Sequence, residues 1–238
     1  MTLEPRSEPR SLDSQRVIFA LDQDWSEGRL WIDRLAGELW GFKVGSILFT
    51  EQGPECVRYL KARGQRVFLD LKYHDIPNTV RGAVRAAFDL GVDLVSVHAG
   101  GGRRMLDSIA PLQTQHQKIL AISVLTSFDA EDIKDLGWSR ALVDQVMAMA
   151  KLAAAAGIQG MVCSPLEVAA LRRELPHHLL VTPGVRFSSV SQDQKRTASA
   201  QQALQAGSSL IVLGRALSES ADWNLTWQEI KSSLADKF

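Results

Sequence analysis

Cysteine is almost missing from this chain: Cys56 and Cys163 are the only two among 238 residues. They stand far apart in sequence and have no metal-ligand spacing, so they predict two buried free thiols, as suits a reducing compartment. Charge of one sign is missing as well, because 27 basic residues balance 27 acidic ones. That balance removes the global field expected of a nucleic-acid or anionic-membrane binder, so any anion site must be local. No apolar run reaches membrane-spanning length. The opening residues, MTLEPRSEPRSLDSQR, lack the apolar core of a secretory signal. These absences predict a cytoplasmic protein with no nucleic-acid or membrane partner, a flexible leader over residues 1–16 and one domain over residues 17–238. A dinucleotide-type glycine fingerprint is also missing, since Gly100 to Gly102 lack its spacing.

What is present is a chain 45% hydrophobic and 23% charged, with material for a substantial core. From Val17 onward, short apolar runs alternate with amphipathic segments. The runs fall at residues 17–22, 41–45, 67–72, 93–99, 118–127, 160–164, 179–185 and 209–215, each followed by a helical pattern. This repetition without a break in composition predicts a single-domain α/β protein, a (β/α)₈ TIM barrel. A doubly wound open sheet is the alternative, because periodicity does not distinguish closed from open.

The stretch RVFLDLKYHDIPNTV, residues 66–80, is the most informative. Period-2 alternation puts Phe68, Asp70 and Lys72 on one face of a strand that otherwise reads as buried. Buried charge is costly unless paired, and functional sites are a common reason to accept that cost. A structural ion pair is the simpler reading of an isolated D-x-K, so the companions decide. In a barrel, catalytic groups come from the C-terminal ends of several strands. Those ends carry Asp22, Lys43, Asp70, Lys72 with Asp75 just beyond, His98, Thr126 and Arg215. Pro183 to Arg186 and Leu213 to Arg215 follow strands seven and eight, the usual barrel position for a phosphate. Gly214 would let backbone N–H groups approach an oxyanion there, and arginine grips phosphate through paired hydrogen bonds. His98 reads as a packed, hydrogen-bonded residue, because no carboxylate-histidine group of metal type accompanies it.

The run D-L-K-Y-H-D-I-P-N-T, residues 70–79, resembles the signature of the orotidine 5′-phosphate decarboxylases. The resemblance extends through A-L-D (20–22), K-V-G (43–45), V-H-A (97–99), L-T-S (125–127), P-G-V-R (183–186), D-Q-K-R (193–196) and L-G-R (213–215). It implies decarboxylation of orotidine 5′-monophosphate to UMP, the end of de novo pyrimidine synthesis, by a homodimer with shared active sites and no metal or other cofactor. Lys43, Asp70, Lys72 and Asp75 match the family's alternating charge tetrad, with Lys72 as proton donor and Asp75 entering the partner subunit's site. Asp22 and Lys43 match ribose contacts, Thr79 a contact from the partner subunit, and Thr126 a pyrimidine contact. Arg186, Gln194, Gly214 and Arg215 match the phosphate side. D-x-K-x-x-D alone is shared with Mg²⁺-dependent sugar-phosphate decarboxylases and synthases of the same barrel superfamily, which are the alternative enzyme reading. A non-catalytic nucleotide-binding relative is the alternative outside enzymes.

Overall fold

Each strand of a parallel barrel is covered on its outer side by a following helix, which is why apolar runs and amphipathic segments alternate along this chain. The computed structural model describes residues 14–186 and 198–235. A 3₁₀ turn at Ser14–Arg16 leads into β1 (Val17–Leu21) and α1 (Trp25–Leu35). Then come β2 (Gly41–Gly45), α2 (Ser46–Gln52), α3 (Glu55–Ala62), β3 (Val67–Tyr73), α4 (Pro77–Asp89), β4 (Leu94–His98) and α5 (Gly102–Ile109). The chain continues through β5 (Lys118–Ile122), α6 (Ala130–Asp135), α7 (Leu142–Ala155), β6 (Gly160–Val162), α8 (Val168–Glu174) and β7 (Leu179–Thr182). It closes with β8 (Val185–Arg186), β9 (Ala198–Ser199), α9 (Ala200–Gln205), β10 (Leu210–Leu213), α10 (Arg215–Ser218) and α11 (Trp223–Ala235). Strands β1 to β7 and β10 close in sequence order into one parallel barrel, while β8 and β9 pair as a separate ribbon. The expected barrel is therefore present, and the open-sheet alternative is not.

Alternation divides the core into two layers. Ile18, Ala20, Phe68, Leu94, Leu120, Val181, Leu210 and Val212 fill the barrel. Their neighbours Val17, Phe19, Leu21, Val67, Leu69, Val95 and Val97 face the helices and meet Trp31, Ile32 and Leu35 of α1 and their counterparts. The interior is a packed plug, so the mouth above it has an apolar floor. Both cysteines are buried free thiols, and burial pushes the Cys163 thiol up to about 12, which makes it inert.

Several boundaries differ from the sequence reading for local reasons. The helical pattern after the second strand forms two helices, broken at Gly53, whose φ of 58° is left-handed, and at Pro54. The fifth strand stops at Ile122 instead of reaching residue 127. Asp129 and Asp132 then form a capping box that starts the unanticipated α6. The seventh strand ends at Thr182, and Gly184, at φ 76°, turns the chain into β8.

The N-terminal face of the barrel is sewn together by long polar side chains. Asp93 accepts from Lys61 Nζ and from the Val67 N–H, both at 2.8 Å. Gln113 Oε1 accepts from the Ile119 and Gln159 N–H groups at 3.2 and 3.1 Å. Arg172 does most: its guanidinium donates to the carbonyls of Gly207, Pro176 and His178 at 2.8–2.9 Å and to Ser209 Oγ at 3.0 Å. It thereby joins the end of α8 to the chain entering β7 and β10. Arg172→Ala is expected to lower unfolding free energy by about 3 kcal/mol, since it strands several carbonyls that now accept from a cation. Chemical denaturation measures this, and an unchanged midpoint would refute it.

Candidate active site

Strand β3 is where the sequence departs from regular pleating. Leu69 pairs with Val95 and Tyr73 with Val97, so four steps along β3 match two along β4. The surplus residues form a bulge, and within it Lys72 has φ 51°, the only non-glycine residue with positive φ among those described. A lysine held there costs about 1–3 kcal/mol, which surrounding contacts must offset. Those contacts converge on Ser96, fully buried on the inward face of β4. Its Oγ accepts from the Lys72 N–H at 2.9 Å and donates to Asp70 Oδ1 at 2.7 Å. Asp70 Oδ2 in turn receives the Lys72 ammonium at 2.9 Å. Asp70 and Lys72 therefore meet as alternation suggested, but through a bulge that re-aims Lys72 rather than a continuous strand.

A second pair stands beside the first. Asp22 follows β1, Lys43 lies on β2, and they meet at 3.0 Å with side chains 49% and 14% exposed. Gly45 pairs with Asp70 across the β2–β3 ladder, and a Cβ on it would come within 3.1 Å of Lys43 Nζ. The missing side chain is what leaves the ammonium room. Lys43 pairs with Asp22 and makes no ion pair with Asp70, so within one chain the charges are two neutral pairs.

Asp75 is not part of this cluster. It is exposed between β3 and α4, its Oδ1 accepting the Ile76 N–H at 2.5 Å, and it forms no ion pair among the described residues. Thr79 is exposed on the first turn of α4, which Pro77 opens. Ile76 between them is 67% exposed, so this stretch presents an apolar and an acidic group together at the rim.

Thr126 sits half-buried in the turn after β5, whose Phe128 N–H donates to the Leu125 carbonyl at 3.0 Å. Gly214 follows β10, and a Cβ there would lie 3.6 Å from Ala20 Cβ and 3.7 Å from Asp22 Oδ2, so this strand end approaches the Asp22–Lys43 pair closely. Arg215 is exposed at the start of α10. Arg186 ends β8 opposite Ser199. The Arg186 side chain and all of Gln194 lie outside the described residues.

His98 has the packed, hydrogen-bonded setting that its isolation suggested. Its ring stacks on His74 at 5.0 Å and its Nδ1 accepts from the Gly100 N–H at 3.1 Å, which assigns the proton to Nε2. Burial, with the charges of His74 and Lys72 adding, pushes its pKa below the ordinary value. Ser96 is the residue sequence reasoning overlooked. Its signal was its parity with Leu94 in L-V-S-V-H, a hydroxyl on the inward face of a strand.

The family model for the orotidine 5′-phosphate decarboxylase / HUMPS family matches residues 15–230. An orotidine 5′-phosphate decarboxylase of Coxiella burnetii is 43% identical over 215 residues, 87% of this chain and 91% of its own length. One from Vibrio cholerae is 40% identical over 230 residues, 94% of this chain and the whole of its own. The crystal structure of the Lactobacillus acidophilus enzyme of that name superposes with a TM-score of 0.80 at 33% identity, over 92% of this chain and 99% of its own. Matches of this extent, on a barrel whose third strand carries the signature at its mouth, make the protein a member of the orotidine 5′-phosphate decarboxylase family.

Proposed function

We propose that the chain converts orotidine 5′-monophosphate to UMP and CO₂, with Lys72 as the proton donor. The observation that carries the mechanism is the Asp70–Lys72 pair, 2.9 Å apart at the mouth of the barrel, with Lys72 held in a left-handed conformation. Breaking the bond from C6 to the carboxylate leaves an electron pair in an sp² orbital that the pyrimidine ring cannot delocalise. A fixed cation beside C6 stabilises that pair, and the same ammonium then delivers a proton to it, leaving a neutral amine that solvent reprotonates. Asp70 pairs with the Lys72 ammonium and aims it, and these steps call for no metal or organic cofactor.

The remaining roles are those that the family resemblance implies, and the Asp22–Lys43 pair beside Gly214 supports them. Asp22 and Lys43, already paired, face the ribose, and Thr126 bonds the pyrimidine. Gly214 and Arg215, with Arg186 and Gln194, hold the phosphate, whose binding energy is remote from C6 and is available to drive closure. Asp75 and Thr79 are exposed and Asp75 joins neither ion pair of its own chain, which supports their acting in a partner's site and hence a homodimer. Asp75 of one subunit then completes the tetrad of Lys43, Asp70 and Lys72 in the other. Residues 17–238 serve as the catalytic domain behind a leader over 1–16. No helix among the described residues is long and apolar enough to cross a membrane, and a cytoplasmic location suits a cofactor-free enzyme with free thiols.

The loss of orotidylate absorbance with purified protein is the direct assay. Lys72→Ala is expected to reduce kcat by about a thousand-fold or more, and wild-type turnover in that variant would overturn the mechanism. Dialysis against a chelator is expected to leave the rate unchanged. A rate restored only by Mg²⁺ would favour the sugar-phosphate enzymes of the same superfamily. Mixing Lys72→Ala with Asp75→Ala subunits, each inactive alone, should recover about one quarter of wild-type activity, because half the dimers are hybrids with one intact site of two. No recovery after subunit exchange would refute shared sites.

A further inference from the structure

Resting on the reading of Asp70 and Lys72 above, we propose that Ser96 is a positioning residue for the decarboxylation, its hydroxyl holding the β3 bulge and the Asp70 carboxylate so that Lys72 is presented to the reacting carbon. The hydrogen bonds form a closed ring: Lys72 N–H to Ser96 Oγ, Ser96 O–H to Asp70 Oδ1, and Lys72 Nζ to Asp70 Oδ2. Ser96 thus touches both the backbone that sets the direction of the Lys72 side chain and the carboxylate that receives its end. In a regular ladder that N–H would bond a carbonyl of β4. Here β3 runs two residues ahead of β4 between Leu69 and Tyr73, and a side chain takes the carbonyl's place.

Only a group that accepts and donates at one atom closes this ring, and among small side chains a hydroxyl does so. Alanine leaves the Lys72 N–H and Asp70 Oδ1 without their partner in a position that is 0% exposed. The strained φ of 51° at Lys72 then loses one of the contacts that holds it. Freed of both constraints, Lys72 and Asp70 still form an ion pair, but not one fixed against the bulge. A misplacement of a catalytic group by about an ångström costs on the order of a hundredfold in rate. Ser96 sits below the charged pair and is fully enclosed, so it acts through them, and the loss falls on turnover rather than on substrate affinity.

The test compares kcat and KM for wild type, Ser96→Ala, Ser96→Thr and Ser96→Cys with orotidine 5′-monophosphate, alongside Lys72→Ala and with unfolding midpoints for each. Ser96→Ala is expected to lower kcat about ten- to a hundredfold while KM stays within about threefold. Ser96→Thr, which keeps the hydroxyl on a side chain suited to a strand, is expected to recover most of kcat. Ser96→Cys keeps the volume with a weak donor and is expected to fall between them, and it carries the comparison if the alanine variant does not fold. Wild-type kcat in Ser96→Ala or Ser96→Cys, or a lowered midpoint with no change in kcat, overturns the proposal for Ser96 while Lys72→Ala remains inactive. Wild-type turnover in Lys72→Ala overturns instead the reading of the pair on which it rests.

Discussion

A carboxylate whose side chain is only 12% exposed, on a strand inside a barrel, is the constraint on which this site depends. Asp70 in water is well solvated, and its removal from water costs several kcal/mol unless the protein supplies equivalent partners. One oxygen receives the Ser96 hydroxyl and the other the Lys72 ammonium, so both are satisfied. The second partner reaches Asp70 from within the bulge that turns Lys72 to φ 51°. The buried acid, the strained lysine and the inward serine are therefore one arrangement, each bonded to the other two.

The barrel separates what holds it together from what it does. At the N-terminal ends of the strands, Arg172, Asp93 and Gln113 spend their polar atoms on backbone groups of neighbouring turns. At the C-terminal ends the polar atoms bond one another in small groups, Asp22 with Lys43 and Asp70 with Lys72, above an apolar plug that includes Phe68 and Leu94. A floor of that kind keeps water from the underside of the charges and strengthens their field at the mouth. Substitutions at one end should accordingly register mainly as stability and at the other mainly as rate.

Much of this was visible along the chain, and the exceptions have physical causes. Alternation assigned Phe68 and Asp70 to one face, because period 2 holds as long as the ladder is regular. It gave the right neighbour for Lys72 without the bulge, since an extra residue pair shifts register only when a facing strand is present to count against. Lys43 contacts Asp22, its companion among the ribose-side matches, because Gly45 leaves room on that side and β1 lies as near as β3. Arg172 carried no signal at all, as the Gly207 carbonyl and Ser209 hydroxyl that it ties to its own turn lie 35 and 37 residues away in sequence.

By itself the sequence determined the class of fold, the order of its elements and the motif at the end of the third strand. Those follow from local periodicity, from glycine and proline at turns, and from residue types that chemistry needs in fixed spacing. Tertiary structure alone decided that the sheet closes, that Ser96 of β4 stands under Asp70 and Lys72 of β3, and that Asp75 joins neither of them in an ion pair. These depend on which strand lies beside which and in what register, a property of pairs of segments that no single segment encodes. The stretch from Asp70 to Thr79 announces the chemistry, and a hydroxyl from the neighbouring strand sets its geometry.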